Sequence, residues 1–265
     1  MINISNSGTG RDKKAKDRGG ALACVAILLL FSVAVPAAAW LLRAFLTPYA
    51  DASLQVSSAA AAATDAMPQF IIDPGHGGED GGCVGADGSL EKDINLRVAL
   101  ALADILRMSG CDVRLTRKDD RMLYDRESDY RGQKKVQDLA TRLAIAREHP
   151  DAFFVSIHMN SYPSPRWRGL QVWYSKNDPR SEVLAGSVQS AARAWLDPQN
   201  DRRIKAADGR IYLLDRAVTP AVLIECGFLS NPDECARLGQ EEYQKDLALT
   251  IAAACIAGAQ NKAID

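Results

Sequence analysis

Histidine is scarce: the 265 residues hold three, so each position carrying one is informative. Net charge is scarce as well. With 32 basic and 33 acidic residues the formal charge is −1, and without a basic excess there is no electrostatic case for nucleic acid as a partner. No internal repeat is visible, and no CxxC pair occurs. Proline and glycine, at 11 and 19, show no enrichment, which argues against general disorder. Charge is missing altogether from Ala21 to Leu42, "ALACVAILLLFSVAVPAAAWLL". A run that long can cross a bilayer core of ~30 Å as a helix, and a buried core helix rarely lacks a polar face.

What flanks that run gives it a direction. Arg11, Lys13, Lys14, Lys16 and Arg18 precede it, and a positive flank stays inside while the rest is exported. The expected plan is a basic cytoplasmic tail over 1–20, a transmembrane signal anchor over 21–42 and a small-residue linker over 43–67. A cleaved signal peptide is the rival, since "PAAA" at 36–39 supplies small residues for a peptidase. A folded domain over 68–258 and a short tail over 259–265 complete the chain. Export would make six cysteines a disulfide question. Cys24 lies in the apolar run, and Cys83, Cys111, Cys226, Cys235 and Cys255 are scattered and odd in number. Most are expected to be small buried or loop residues.

Within 68–258 strand and helix patterns alternate. "QFIID", "DVRLTR", "AFFVSIH", "GLQVWYS" and "AVLIECG" read as strands. "EKDINLRVALALADILRMSG" puts Ile94, Val98, Ala101, Leu102 and Ile105 on one helical face, with Gly110 to end it. "KVQDLATRLAIAREH", "SEVLAGSVQSAARAWL" and "EYQKDLALTIAAACIAGA" also read as helices. The fold class is therefore α/β: a mostly parallel twisted sheet with helices on both faces.

Three of the strand-like runs lead to a metal-binding or proton-handling residue: His76, His158 and Glu225. In open α/β sheets ligands gather at the carboxyl ends of the strands, so these residues converge on one edge. Glu91, in the first turn of the helix after the glycine loop, falls near the same edge. Two histidines and one carboxylate make a catalytic zinc set with a position left for water. One acid is then to spare as general base. Each residue also has a plainer reading. His76 alone suits a loop histidine bonded to a neighbour, His158 a satisfied core histidine, and Glu91 a surface acid. Glu225 resists such a reading, because an ionised carboxylate in an apolar strand costs several kcal/mol unless paired or metal-bound. His149 precedes a proline in a turn and reads as solvated. Tyr162, Trp167 and Trp173 suit a sugar-binding surface or ordinary core and interface filling.

The segments "IIDPGHGG", "LEKDINL", "FVSIHMNS" and "VLIECGFLSNPDE" together resemble the zinc-dependent N-acetylmuramoyl-L-alanine amidases, over about residues 69–258. The resemblance implies one zinc per chain held by His76, Glu91 and His158, with Glu225 as the catalytic acid. It implies peptidoglycan as substrate and hydrolysis of the bond between N-acetylmuramic acid and L-alanine. "SYPSPRWRGLQVWYS" and "IYLLDRAVTPAVLIECGFLSNPDE" are similar to the germination-specific subgroup, which implies a role in the spore cortex, where removing stems lets muramic δ-lactam form. Arg142 and Asn160 are candidate substrate-orienting groups. Cys226 departs from the pattern, which has a small or aliphatic residue after the acid, and offers a thiol as an additional zinc ligand. The alternatives are a non-catalytic wall-binding or activator protein on the same fold, or another zinc peptidoglycan hydrolase. An accessory lipoprotein and a dimer partner both stay open. The expected location is the cell membrane with the domain outside the cytoplasm, or full secretion if the N-terminal segment is cleaved.

Overall fold

The structure, a computed structural model, describes residues 67–125, 127 and 132–261. The basic tail and apolar segment expected over 1–42 lie outside the described residues, as does the linker up to 66. Among the described residues no helix is long and apolar enough to cross a membrane.

The strands are β1 (Gln69–Pro74), β2 (Asp112–Leu115), β3 (Phe153–Asn160), β4 (Gln171–Tyr174), β5 (Lys205–Ala206) and β6 (Ala221–Phe228). The helices are α1 (Glu91–Met108), α2 (Lys134–Arg147), α3 (Arg180–Trp195), α4 (Tyr212–Arg216), α5 (Pro232–Leu238) and α6 (Glu241–Gln260). Helix α6 runs on to Gln260, so the tail expected from 259 begins inside it.

The sheet order is β2-β1-β3-β6-β4-β5. Strands β2, β1, β3 and β6 are parallel; β4 runs antiparallel to β6, and β5 follows β4. The sheet is therefore mixed: β2, β1, β3 and β6 run parallel, and the parallel pair β4–β5 runs opposite to them. The connection from β3 to β4 explains the reversal. It holds no helix, and a parallel return needs a crossover of about a dozen residues or more, usually helical. The gap it leaves beside β3 is filled by β6, which arrives later through α3 and α4.

Alternation along the strands builds a core on each face. Phe70, Ile72, Val155, Ile157, Val222 and Ile224 pack against Ile94, Val98 and Leu102 of α1, Leu184 and Val188 of α3, and Leu247 and Ile251 of α6. On the opposite face Ile71, Phe154, Ala221 and Leu223 meet Leu143 and Ala146 of α2 and Leu213 and Leu214 of α4. Each fully buried aliphatic side chain is worth ~1.5–3 kcal/mol, so the helices are held to the sheet by these faces rather than by their termini. Since β1, β3 and β6 are parallel, their carboxyl ends open on one edge, and the loops that follow them meet there.

Candidate metal centre

The glycine loop after β1 is bound back onto the sheet before any functional side chain is placed. Arg142 of α2 donates to the carbonyls of Pro74 and His76, each at 2.8 Å, and is ion-paired with Asp73 and Asp138. Arg117 donates to the carbonyls of Pro74 at 3.0 Å, Gly75 at 2.9 Å and Lys92 at 2.9 Å. Asp73, wholly buried, also accepts from Thr116 and Ser156, each at 2.6 Å. Burial pushes the Asp73 carboxyl up, but Arg142 and the two hydroxyls outweigh that and hold it below the usual range. With its carbonyl fixed by Arg142, His76 is held at φ +60°, a left-handed conformation that non-glycine residues rarely adopt. Gly75 has a steric reason to lack a side chain: a Cβ there would run into the ring of His158.

The loop also caps α1. Leu90 at the N-cap offers no side-chain bond, yet the carbonyls of Cys83 and Gly81 accept from Glu91 N at 3.0 Å and Lys92 N at 3.1 Å. These satisfy donors that a helix start leaves free. Glu91 is thereby pinned as the first residue of α1 and is 3% exposed. Its Oε2 accepts from Cys83 N at 2.9 Å, and its Oε1 from Met159 N at 3.1 Å and Asn95 Nδ2 at 3.2 Å. Gly82, at φ +69°, leaves room for that carboxylate, which a Cβ would strike.

Three of the residues singled out in the sequence come together. Glu91 Oε1 lies 3.2 Å from His76 Nε2 and 3.0 Å from His158 Nδ1. The three ligand atoms all fall within 4.8 Å of one another. Behind them, Asp80 Oδ2 stands 2.9 Å from His76 Nδ1 and is itself paired with Lys135. A carboxylate on the far ring nitrogen orients a histidine so that its other nitrogen faces inward. Burial opposes charge on His76, but the carboxylates of Asp80 and Glu91 outweigh it and raise the pKa to about 9. Burial likewise opposes charge on Glu91, and its bonds to His158 and His76 hold it well below the usual range. The pocket thus has an anionic field that favours a cation. Two imidazole nitrogens and one carboxylate oxygen converging on one point fit zinc, which takes such a set with a fourth position for water.

Glu225 is not one of these three. It pairs with His158 across the β3–β6 register and is half-buried. Its Oε2 is buried and has no hydrogen-bond partner. Burial, with the negative charge of Glu91 adding to it against the two histidines, pushes its pKa up to about 7. Asn160 lines an open groove leading from this edge, in company with Tyr162, Trp167 and Trp173.

Two expectations are corrected. Arg142 does not face substrate: it is 1% exposed, and its guanidinium is taken up by two carboxylates and two loop carbonyls. Cys226 does not reach the metal position. Strand alternation turns it away from Glu225 into the core, where it is 1% exposed. Burial raises its thiol pKa further from the thiolate a metal would need. The five described cysteines are free. His149 lies before β3, at the edge away from His158.

Several contributors went unnoticed in the sequence. Asp80 was visible as the residue one helical turn past His76, but in a glycine loop that spacing carries no helical meaning. Asn231 and Glu234 of "SNPDE" have a structural task. Asn231 caps α5 and donates to Pro165 O at 2.7 Å, while Glu234 accepts from Gly169 N at 3.0 Å and Phe228 N at 2.8 Å. They hold the 161–170 loop beside the site.

A family model described as N-acetylmuramoyl-L-alanine amidase matches residues 70–257. The germination-specific N-acetylmuramoyl-L-alanine amidase of Bacillus subtilis is 38% identical over 182 residues, covering 69% of this chain and 76% of that protein. Among solved structures, the CwlD amidase of Clostridioides difficile, determined in complex with the GerS lipoprotein, is 39% identical. It superposes with a TM-score of 0.68 over 72% of this chain and 98% of its own. The amidase AmiC2 of Nostoc punctiforme is 31% identical, with a TM-score of 0.62 over 72% and 96%.

Proposed function

This chain belongs to the N-acetylmuramoyl-L-alanine amidase family, and from that premise we propose that it works as a zinc enzyme of the spore envelope. Family membership makes it an amidase acting on peptidoglycan. The finer reading is that His76, Glu91 and His158 hold one zinc, that Glu225 moves the proton, and that the substrate is cortex peptidoglycan. The observation that carries it is the convergence of those three ligand atoms beside a buried carboxyl oxygen with no partner.

A zinc ion bound there supplies a Lewis acid that polarises an amide carbonyl and acidifies a water. The chain's own residues do the rest. Asp80 keeps the His76 ring turned inward, and Arg142 and Arg117 keep the loop backbone from relaxing. Glu225 accepts a proton from the attacking water and returns it to the departing amine of L-alanine. A carboxyl raised to about 7 suits both halves of that task near neutral pH. The spare position of Glu225, outside the three ligand atoms, supports its role as acid–base rather than ligand.

The subgroup reading is supported by the 38% identity to a germination-specific amidase. It brings with it an extracytoplasmic domain tethered through residues 21–42, or secreted after cleavage there. The lipoprotein found with the Clostridioides difficile relative supports a lipoprotein of the same compartment as partner. The test is to digest purified peptidoglycan with the full chain, with and without chelator, and identify products by mass spectrometry. Free stems with an unmodified N-terminal alanine, lost on chelation and restored by zinc, are expected. In His76→Ala, metal content falls with activity. Full activity after metal removal, or cleavage of glycan or peptide bonds instead, overturns the reading. The cortex role requires muramic δ-lactam to disappear from spores lacking the chain.

A further inference from the structure

Past Glu91, every residue that α1 buries is apolar except one: Asn95, which is wholly buried. On local grounds an asparagine is a poor choice there. Its side chain competes for backbone bonds, and its amide has to be satisfied away from water. It stands one turn after Glu91, so the two side chains share a face of the helix.

The amide nitrogen reaches two places at once. Asn95 Nδ2 donates to the carbonyl of Gly75 and to Glu91 Oε1, each at 3.2 Å. The first belongs to the loop that carries His76. The second is the oxygen that lies 3.2 Å from His76 Nε2 and 3.0 Å from His158 Nδ1. The amide cannot be turned over, because its oxygen would then face a carbonyl and a carboxylate, neither of which donates. Asn95 Oδ1 therefore points away, and it has no hydrogen-bond partner among the described residues. A buried acceptor in that state costs stability. The two acceptors do not compel that cost. Gly75 O also accepts from Arg117 at 2.9 Å, and Glu91 Oε1 also accepts from Met159 N at 3.1 Å. Both stay satisfied without Asn95.

We infer that Asn95 is a positioning residue of the metal centre: its amide ties the Glu91 oxygen that faces both histidines to the loop that carries His76, so the ligand set is assembled before metal arrives. The inference rests on the three-ligand reading. His76 and Glu91 sit on different segments, and one NH2 group spans them. With that donor gone, Glu91 Oε1 keeps a single backbone donor and is freer to swing from the point where the histidine nitrogens converge. Asn95 is wholly buried and meets no substrate, so its effect passes through Glu91 and the loop.

The test strips the full chain and its variants with chelator and reloads them. Zinc affinity is read by competition with a chromophoric chelator, and ligand geometry by the visible absorption of the cobalt-loaded protein. Asn95→Leu keeps the bulk while removing both the donor and the orphaned oxygen. It should bind zinc about tenfold more weakly, with shifted cobalt bands. Its metal-free Tm should stay within about 3 °C of wild type. Asn95→Ala lacks the same donor but opens a cavity, so its Tm should fall further while its zinc affinity falls by the same factor as in the leucine variant. A residue that only fills the core would make alanine worse than leucine in both readings. Wild-type zinc affinity and cobalt bands in either variant overturn the assignment, as does an affinity loss that follows Tm rather than the missing donor. Should Asn95→Leu not fold, Asn95→Ala decides by the same two metal readings. A wild-type chain that takes up neither zinc nor cobalt overturns the three-ligand reading and this inference with it, whereas tight wild-type binding that the variants share counts against Asn95 alone.

Discussion

Replacing Arg142 by methionine separates the two roles that have been offered for it. Were it a substrate-orienting group, the variant would fold and hold metal normally and lose only affinity for substrate. The structure makes it the keystone beneath the His76 loop instead. Methionine keeps much of the apolar stem but removes the ion pair to Asp73, both bonds to Asp138 at 3.0 and 3.2 Å, and the bonds to the carbonyls of Pro74 and His76. Two buried carboxylates and two carbonyls are left without that partner. Breaking a buried ion pair from one side costs ~3–5 kcal/mol, and the extra carbonyls put this case at the upper end. A domain holds ~5–15 kcal/mol in all, so the variant is left marginal, with a Tm lower by roughly 10–15 °C. Denaturant unfolding of wild type and variant side by side measures this. The pH dependence is a second check. In the wild type Asp73 sits below its usual value of 3.8, so its contribution is present above that value and lost as pH falls through the folded pKa. In the variant, burial acts on Asp73 without its counter-charge and raises the folded pKa above the unfolded one. That contribution is present at low pH and lost as pH rises. The stability gap should therefore narrow from pH 7 to pH 4. A variant within 1 kcal/mol of wild type that shows only a raised KM would refute the reasoning.

Glu225→Gln should keep zinc and peptidoglycan binding yet lose ~10²–10⁴-fold in turnover, as expected for loss of a general acid–base group. Glu91→Gln should lose metal as well, because an amide is a poorer ligand than a carboxylate. Zinc stoichiometry and stem release measured on both variants decide the matter, and a zinc-free Glu225→Gln means the roles are exchanged. Asp80→Asn removes the anionic partner of His76 Nδ1 and should weaken metal binding ~10–100-fold in chelator competition. Unchanged affinity would leave Asp80 with no part in the centre.

Much of the fold was legible because it rests on local periodicity. The short continuous apolar runs placed β1, β3 and β6, and the spacing of Ile94, Val98 and Leu102 placed α1 and its buried face. That His76, His158 and Glu225 share an edge followed from three parallel strands, with His76 just past the end of β1 and His158 and Glu225 within the carboxyl halves of β3 and β6. Glu91 was placed by the helix start that the glycine loop implied. Other features were settled by tertiary structure, because they depend on what lies across the molecule. The reversal of β4 depends on β6 filling the place beside β3, a pairing between strands far apart in sequence. Arg142 and Asn160 look alike in sequence as polar residues near a motif. Asp73 and Asp138 draw the first beneath the loop, while the second lines the groove. Cys226 sits next to Glu225 in sequence but on the opposite face of the sheet, because side chains alternate along a strand. Composition and periodicity report what a segment buries; which charges face one another is decided by long-range packing, and it made Asp80 and Arg142 part of the site's support.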